Sequence, residues 1–295
     1  MPSLGPTPPS GAYGFRLVTN GADAELPDLI SLPEDHEQVA ITVRRASSLK
    51  TVGELGAERI HLAESRGSAL HMRRDPAEVV LDLPDEISAR ALVHPLLAVP
   101  LSLLARWQGY VTLHAGAFEA DGAWAVLGDR TAGKSSMLAA LAERGVPIVS
   151  DDLLVVNDGH ALAGPRCVDL RPDVSKRFPA ASSLGMVGGR PRFRLSTPPA
   201  HPRTVLKGFF VLEWSDLPTP QLVPIPMQER LRLLYGQEYM GVVGAADPRR
   251  VVELVGLPGW WVRRPRDWGA TDAVTDRLLE LTSDPARAEQ RAKPA

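Results

Sequence analysis

Apolar and polar residues alternate in several short runs near the start of the chain: Phe15-Arg16-Leu17-Val18, Val39-Ala40-Ile41-Thr42-Val43, Ala69-Leu70-His71-Met72 and Val79-Val80-Leu81-Asp82-Leu83. A period of two puts successive side chains on opposite faces of an extended chain, so each run predicts a strand. The Gly, Pro and Asp residues between them predict turns. Residues 13–87 thus read as a small, mostly β N-terminal domain, preceded by a flexible leader, residues 1–12, in which Pro and Gly dominate and no apolar pattern repeats.

The pattern then changes. Residues 88–108 carry apolar positions at helical spacing, with Pro95 and Pro100 expected to start or kink the parts, and form a helical bridge into a second domain spanning 88–282. Val111–Phe118 and Ala123–Leu127 are strand-like runs joined through Asp121-Gly122, a hairpin signal. Ser135–Arg144 predicts a helix closed by Gly145, and Pro147–Val149 a short strand. Leu153–Val156 and Ala161–Ala163 predict a second hairpin about Asn157-Asp158-Gly159. Residues 164–204, rich in Arg and Gly, predict a mobile loop. Beyond it, Val205–Trp214 and Trp260–Arg264 predict strands, Gln228–Tyr235 and Ala270–Leu281 helices, and 283–295 a frayed tail. The fold class that follows is α/β, α+β overall.

Composition narrows the setting. The formal net charge of −2 gives no general attraction for nucleic acid or an anionic membrane, so neither is expected as a partner. Cys167 is the only cysteine, which excludes an intrachain disulfide, fits a reducing compartment and predicts an inert thiol. The first residues lack a basic start and an apolar core, and the longest apolar segment, Ala91–Ala105, is interrupted by His94, Pro95 and Pro100. A cytoplasmic protein is expected. His36, His61 and His71 lack metal-ligand spacing and read as surface or edge-strand histidines.

The chemistry concentrates in residues 123–152. Gly128-Asp129-Arg130-Thr131-Ala132-Gly133-Lys134-Ser135 satisfies G-x-x-x-x-G-K-[ST], preceded by an apolar run and followed by a helical pattern opening at Ser135-Ser136. Backbone N–H groups of such a loop wrap phosphate oxygens, the following helix adds its positive end, the lysine reaches the terminal phosphates and the serine hydroxyl holds Mg²⁺. Gly133 is where a side chain would collide with phosphate. Asp151 and Asp152 end a strand 17 residues after Lys134, the place for a parallel strand beside the one entering the loop. Carboxylates there can ligand Mg²⁺ or take a proton from an attacking hydroxyl. His114, in the strand before the loop, is on its own more readily a core histidine. ATP and Mg²⁺ are the expected cofactors.

The series Leu113-His114-Ala115-Gly116, Gly128-Asp129 to Gly133-Lys134-Ser135-Ser136, Glu143-Arg144-Gly145 and Ser150-Asp151-Asp152 resembles the catalytic core of HPr kinase/phosphorylase. That resemblance implies a P-loop domain with a mixed sheet. It also implies a His114 that supports the reacting centre, and one of Asp151 and Asp152 as general base with the other near Mg²⁺. Arg130-Thr131 stand where the family loop has Ser-Gly, and Asp169-Leu170-Arg171-Pro172 is what remains of its Glu-x-Arg-Gly signature. The N-terminal region is more similar to HPr-kinase-like proteins of peptide natural-product pathways, including lasso-peptide kinases. The basic segment acquires a use on this basis: Arg190 and Arg192, with Arg171, are candidates to clamp phosphate or an acidic peptide terminus. Arg263-Arg264-Pro265-Arg266 reads as a surface run, and Trp260-Trp261 as core or subunit contact.

The expected activity is transfer of the γ-phosphoryl group of ATP to a hydroxyl, foremost a serine of a peptide or protein. Two alternatives remain: an NTP-binding regulatory or scaffold ATPase of a peptide-biosynthesis system, and a kinase of a small hydroxylated metabolite. A homo-oligomer is admitted by the resemblance alone.

Overall fold

The computed structural model describes residues 9–20, 26–45, 54–55, 58–64, 68–85, 87–239 and 246–283. Eight strands, β1 (Ser10–Ala12), β2 (Phe15–Asn20), β3 (Ile30–Ser31), β4 (Gln38–Arg45), β5 (Glu54–Leu55), β6 (Arg59–Glu64), β7 (Ser68–Arg73) and β8 (Glu78–Leu83), build a first sheet in the order β3-β1-β2-β4-β8-β7-β6-β5. The pairs β2–β4 and β4–β8 are parallel. All four runs of alternating residues lie in it. Residues 10–12 are not leader but strand β1, with Gly11 and Ala12 buried; a Cβ on Gly11 would meet the Phe15 carbonyl oxygen at 2.0 Å, so the missing side chain is what permits the pairing. The expected leader residues 1–8 and tail residues 284–295 lie outside the described residues.

The bridge is bent in two. Ser88 caps α1 (Ala89–Ala91), a wide turn follows over Leu92–Leu96 in which His94 is extended, and α2 (Ala98–Trp107) carries Pro100 in its first turn, where no backbone donor is needed. α2 is buried almost all round, as suits a helix covered on both sides. It shares one apolar cluster with Phe15, Val39, Ile41 and Leu81 of the first sheet and with Leu153, Val155 and Leu162 from beyond the phosphate loop. Among the described residues no single helix is long and apolar enough to cross a membrane.

The second sheet contains β9 (Val111–Leu113), β10 (Gly116–Glu119), β11 (Ala123–Leu127), β12 (Ile148–Ser150), β13 (Leu154–Asn157), β14 (His160–Leu162) and, after an excursion, β18 (Arg203–Trp214), β19 (Gln221–Pro224) and β20 (Gly259–Arg264). Its order is β12-β10-β11-β18-β14-β13-β9, with β20 and then β19 beside the end of β18. The apolar run 111–118 is thus two strands, broken at His114-Ala115. Helix α3 (Lys134–Glu143) follows the loop from Gly128 to Gly133, and Gly145 takes φ +79° just past its end. Helices α5 (Met227–Gly236), α6 (Pro248–Gly256) and α7 (Trp268–Ser283) complete the cover. α7 packs with α3 over Phe118, Trp124, Phe210 and Trp260, which places Trp260 in the core. The fold class is α/β with mixed sheets.

Two expectations are corrected. The strand delivering the two aspartates is not beside the loop strand: β10 lies between them, antiparallel to both β11 and β12. Two antiparallel steps restore direction, so β12 still delivers Asp151 and Asp152 at the same end as the loop. The stretch 164–204 is not a mobile loop. It folds as β15 (Cys167–Leu170), α4 (Pro172–Ser175), β16 (Ser182–Val187) and β17 (Arg190–Ser196), a three-stranded antiparallel sheet in the order β15-β17-β16. Val168, Leu170, Phe178 and Leu195 anchor it in the α3 core, and Arg194 is completely buried against Asp169.

Candidate active site

Three parallel strands, β11, β18 and β20, run side by side toward one end of the sheet: Leu127, the last residue of β11, is in register with Val211, and β18 and β20 continue beyond it to the pair Trp214–Arg264. Carboxyl ends of such strands are where ligands collect in open α/β sheets. The loop leaving β11 turns at Gly128 (φ +139°) and Gly133 (φ +92°), both in backbone conformations that favour glycine. A Cβ at Gly133 would lie 2.5 Å from the Arg264 guanidinium, so protein crowds this glycine as well as any ligand. Asp129, Arg130 and Thr131 line the cavity, while Ala132 is buried beneath the loop. Thr131 holds φ +74°, which a β-branched residue adopts only under strain, and the Trp214 indole donates to its carbonyl at 3.0 Å. Helix α3 begins at Lys134, aiming its unpaired first N–H groups at the space above the loop. Lys134 Nζ donates to the Gly128 carbonyl at 2.6 Å, and burial lowers its pKa.

The adjacent acids occupy different stations. Asp151 is buried; its Oδ1 accepts the Ser135 hydroxyl at 3.0 Å and its Oδ2 accepts the Asp169 N–H at 3.2 Å. Burial, then the neighbouring Asp152 charge, pushes it up to about 6. Asp152 takes φ +66°, a conformation Asp tolerates, and this sends its half-exposed side chain the other way, to 3.4 Å from His114 Nδ1. His114 sits in the break between β9 and β10. Its N–H donates to the Gln237 carbonyl, and its ring stacks on Tyr239 at 6.2 Å. Burial, then the Lys134 charge, lowers its pKa, keeping the ring neutral at pH 7.

The cavity over these groups has a volume of about 650 Å³. His114, Lys134, Ser135, Ser136 and Asp152 line it together with Arg171, Arg190 and Arg192. Burial, then the charges of Arg192 and Arg171, lowers the pKa of Arg190, the mark of guanidinium groups crowded together. Asp169 also reaches the cavity, but its carboxylate is committed elsewhere. It accepts Arg194 Nε at 2.9 Å and Nη2 at 3.2 Å, and pairs with His94 Nδ1 at 3.0 Å. Against the effect of burial, His94 and Arg194 hold it well below the usual carboxylate range. Asp169 is thus a buttress behind Asp151 rather than a group free to meet a ligand. Cys167 is buried beside it, and burial raises its thiol far above reactivity.

Some lining residues escaped the sequence pattern. Trp214 and Tyr239 face the cavity, and Arg264, expected on the surface, is buried with its guanidinium 3.9 Å from the Trp214 ring centroid. The available signal was position: Trp214 and Arg264 each close an apolar strand. His61 and His71 pair with each other at 2.7 Å, and His71 with Asp82 at 2.8 Å, on the first sheet far from this chemistry in the chain.

The donor set suits a hard divalent cation. The Ser135 hydroxyl and one Asp151 oxygen stand 3.0 Å apart, and Asp151 is a carboxylate whose burial leaves it short of positive charge. No family model and no curated protein matches the chain. Among solved structures, the Hpr(Ser) kinase/phosphatase from Coxiella burnetii is similar at 12% sequence identity over 61% of this chain and 98% of that one, with a TM-score of 0.30. So distant a likeness leaves the chemistry to be read from the pocket.

Proposed function

We propose that the protein is an ATP- and magnesium-dependent kinase that transfers the γ-phosphoryl group to a hydroxyl, most readily a serine of a peptide or protein. The observation that carries this reading is the division of labour between the two acids: Asp151 tied to Ser135, and Asp152 open to the cavity beside a neutral His114. A pure nucleotide switch needs only the first pair. Loop N–H groups and Lys134 hold the phosphates, and Ser135 with Asp151 would hold the cation, which supplies neutralisation of charge on the β- and γ-phosphate oxygens. Asp152 takes the proton of the acceptor hydroxyl as its oxygen bonds to the γ-phosphorus. The bond from that phosphorus to the β–γ bridging oxygen breaks, and ADP leaves. His114 orients the Asp152 carboxylate. The wall of Arg171, Arg190 and Arg192 supports an acceptor or phosphoryl group carrying negative charge.

The test is mass detection of an added phosphate on a panel of serine-containing peptides incubated with MgATP. Lys134→Ala and Asp152→Asn should each lower turnover by about 10²-fold or more, Asp152→Asn without loss of MgATP binding. Nucleotide binding with no acceptor-dependent ADP release would favour the scaffold reading instead.

A further inference from the structure

Arg264 is the last residue of β20 and is 1% exposed. A guanidinium taken out of water needs a counter-charge or a full set of acceptors. Arg194, equally buried, has both. Arg264 has neither: Nη2 donates to the Ala132 carbonyl at 2.9 Å, Nη1 makes a long contact to Thr271 Oγ1 at 3.4 Å, and Nε meets no acceptor among the described residues. No carboxylate there lies within ion-pair distance of it. The acid that acts on it, Asp267, turns its Oδ1 to the Ala270 N–H at 2.7 Å. Burial pushes Arg264 down to about 10, so it stays charged at neutral pH.

Its place says what the charge is for. The side chain is clamped between the Trp214 ring and the Ala132–Gly133 turn, in the wall of the cavity over the phosphate loop. Arg266 approaches the same indole at 5.6 Å. We infer that Arg264 is a positioning residue for the phosphate chain of the nucleotide: it fixes the Ala132–Gly133 turn and supplies a buried positive charge that is neutralised when a polyphosphate occupies the loop. This rests on the reading of the loop as a nucleoside triphosphate site.

The test compares the full-length wild type with Arg264→Met, Arg264→Lys and Lys134→Ala. Dissociation constants are measured for MgATP and for magnesium tripolyphosphate, which lacks the base and sugar, at low and high salt. Arg264→Met should weaken both ligands by a similar factor, about 10-fold, with a shallower salt dependence. Its nucleotide-free melting temperature should not fall, and Arg264→Lys should recover part of the affinity. Unchanged affinity in Arg264→Met overturns the inference, as does a loss confined to MgATP, which would assign Arg264 to the base side. A lowered melting temperature with normal affinity overturns it too, and if Arg264→Met does not fold, Arg264→Lys carries the same comparison. Wild type that binds neither ligand overturns the loop reading as well, whereas weakening by Lys134→Ala without weakening by Arg264→Met overturns this inference alone.

Discussion

Replacing Arg194 by Met should be among the most damaging single changes in the chain, although Arg194 does not line the cavity. The guanidinium is fully buried and donates to both oxygens of Asp169 and to the carbonyls of Arg90 and His94. Met fills similar volume but offers no donor. It leaves a buried carboxylate with His94 as its main partner and two carbonyls without their guanidinium. Removing one member of a buried ion pair costs about 3–5 kcal/mol, a large part of the ~5–15 kcal/mol by which a domain is stable. Asp169→Asn should cost a similar amount by stranding Arg194. The double variant should cost much less than the sum, because both halves of the Arg194–Asp169 pair go together and only Asp28, 3.6 Å from Arg194 Nη1, is left with Arg90 alone at 3.7 Å; a coupling of at least about 2 kcal/mol is expected. Urea unfolding at pH 7 of the wild type, both single variants and the double variant supplies all four free energies. An Arg194→Met stability within about 1 kcal/mol of wild type, or strictly additive singles, would refute the reasoning. Turnover should fall with stability, since the Asp169 N–H that steadies Asp151 belongs to the same strand.

Asp151→Asn should stabilise the metal-free protein while abolishing transfer. A carboxyl raised from 3.8 to about 6 favours folding below its unfolded value and loses that advantage as pH rises through the folded one. The gain from Asn should therefore grow from about 1.5 kcal/mol at pH 5 to about 3 kcal/mol at pH 8. Urea melts in a chelator at the two pH values check this, and a gain independent of pH counts against it. Thr131→Gly should release backbone strain of about 1–3 kcal/mol, partly offset by the greater freedom of glycine in the unfolded chain. A melting temperature raised by about 2–4 °C is expected, and a fall would show that Thr131 is unstrained.

The sequence made the phosphate loop and the acids legible because their chemistry is written in consecutive residues with fixed spacing. His114 became visible through its order relative to them. What stayed hidden depends on partners far apart in the chain. The insertion of β10 between β11 and β12 cannot be read from apolar runs, which mark strands but not their neighbours. Residues 164–204 looked like a loop because Arg194 is a core residue only once Asp169 neutralises it and the backbone carbonyl of His94, 100 residues away in the chain, accepts from it. Arg264 was hidden among other arginines because what encloses it, the Trp214 ring and the Ala132 carbonyl, comes from distant parts of the chain. Helix α6 carries local start signals, an Asp247 cap followed by Pro248 in the first turn. Strands β1, β3 and β5, of two or three residues each, are too short for a period to show.

The apolar cluster around α2 bears on how this protein could be taken apart. Leu153 directly follows the two acids, and Val155 and Leu162 belong to the hairpin after them. All three rest on α2 and the first sheet rather than on their own sheet alone. Tyr13, at the tip of the β1–β2 turn, reaches across to donate its N–H to the Ala163 carbonyl. A fragment cut at residue 88 would keep every loop and acid residue yet expose the floor on which Asp151 and Asp152 stand. The proposed nucleotide site is therefore not a cassette that can be lifted onto another N-terminal module, and exchange between relatives would have to carry the first sheet and its helix along.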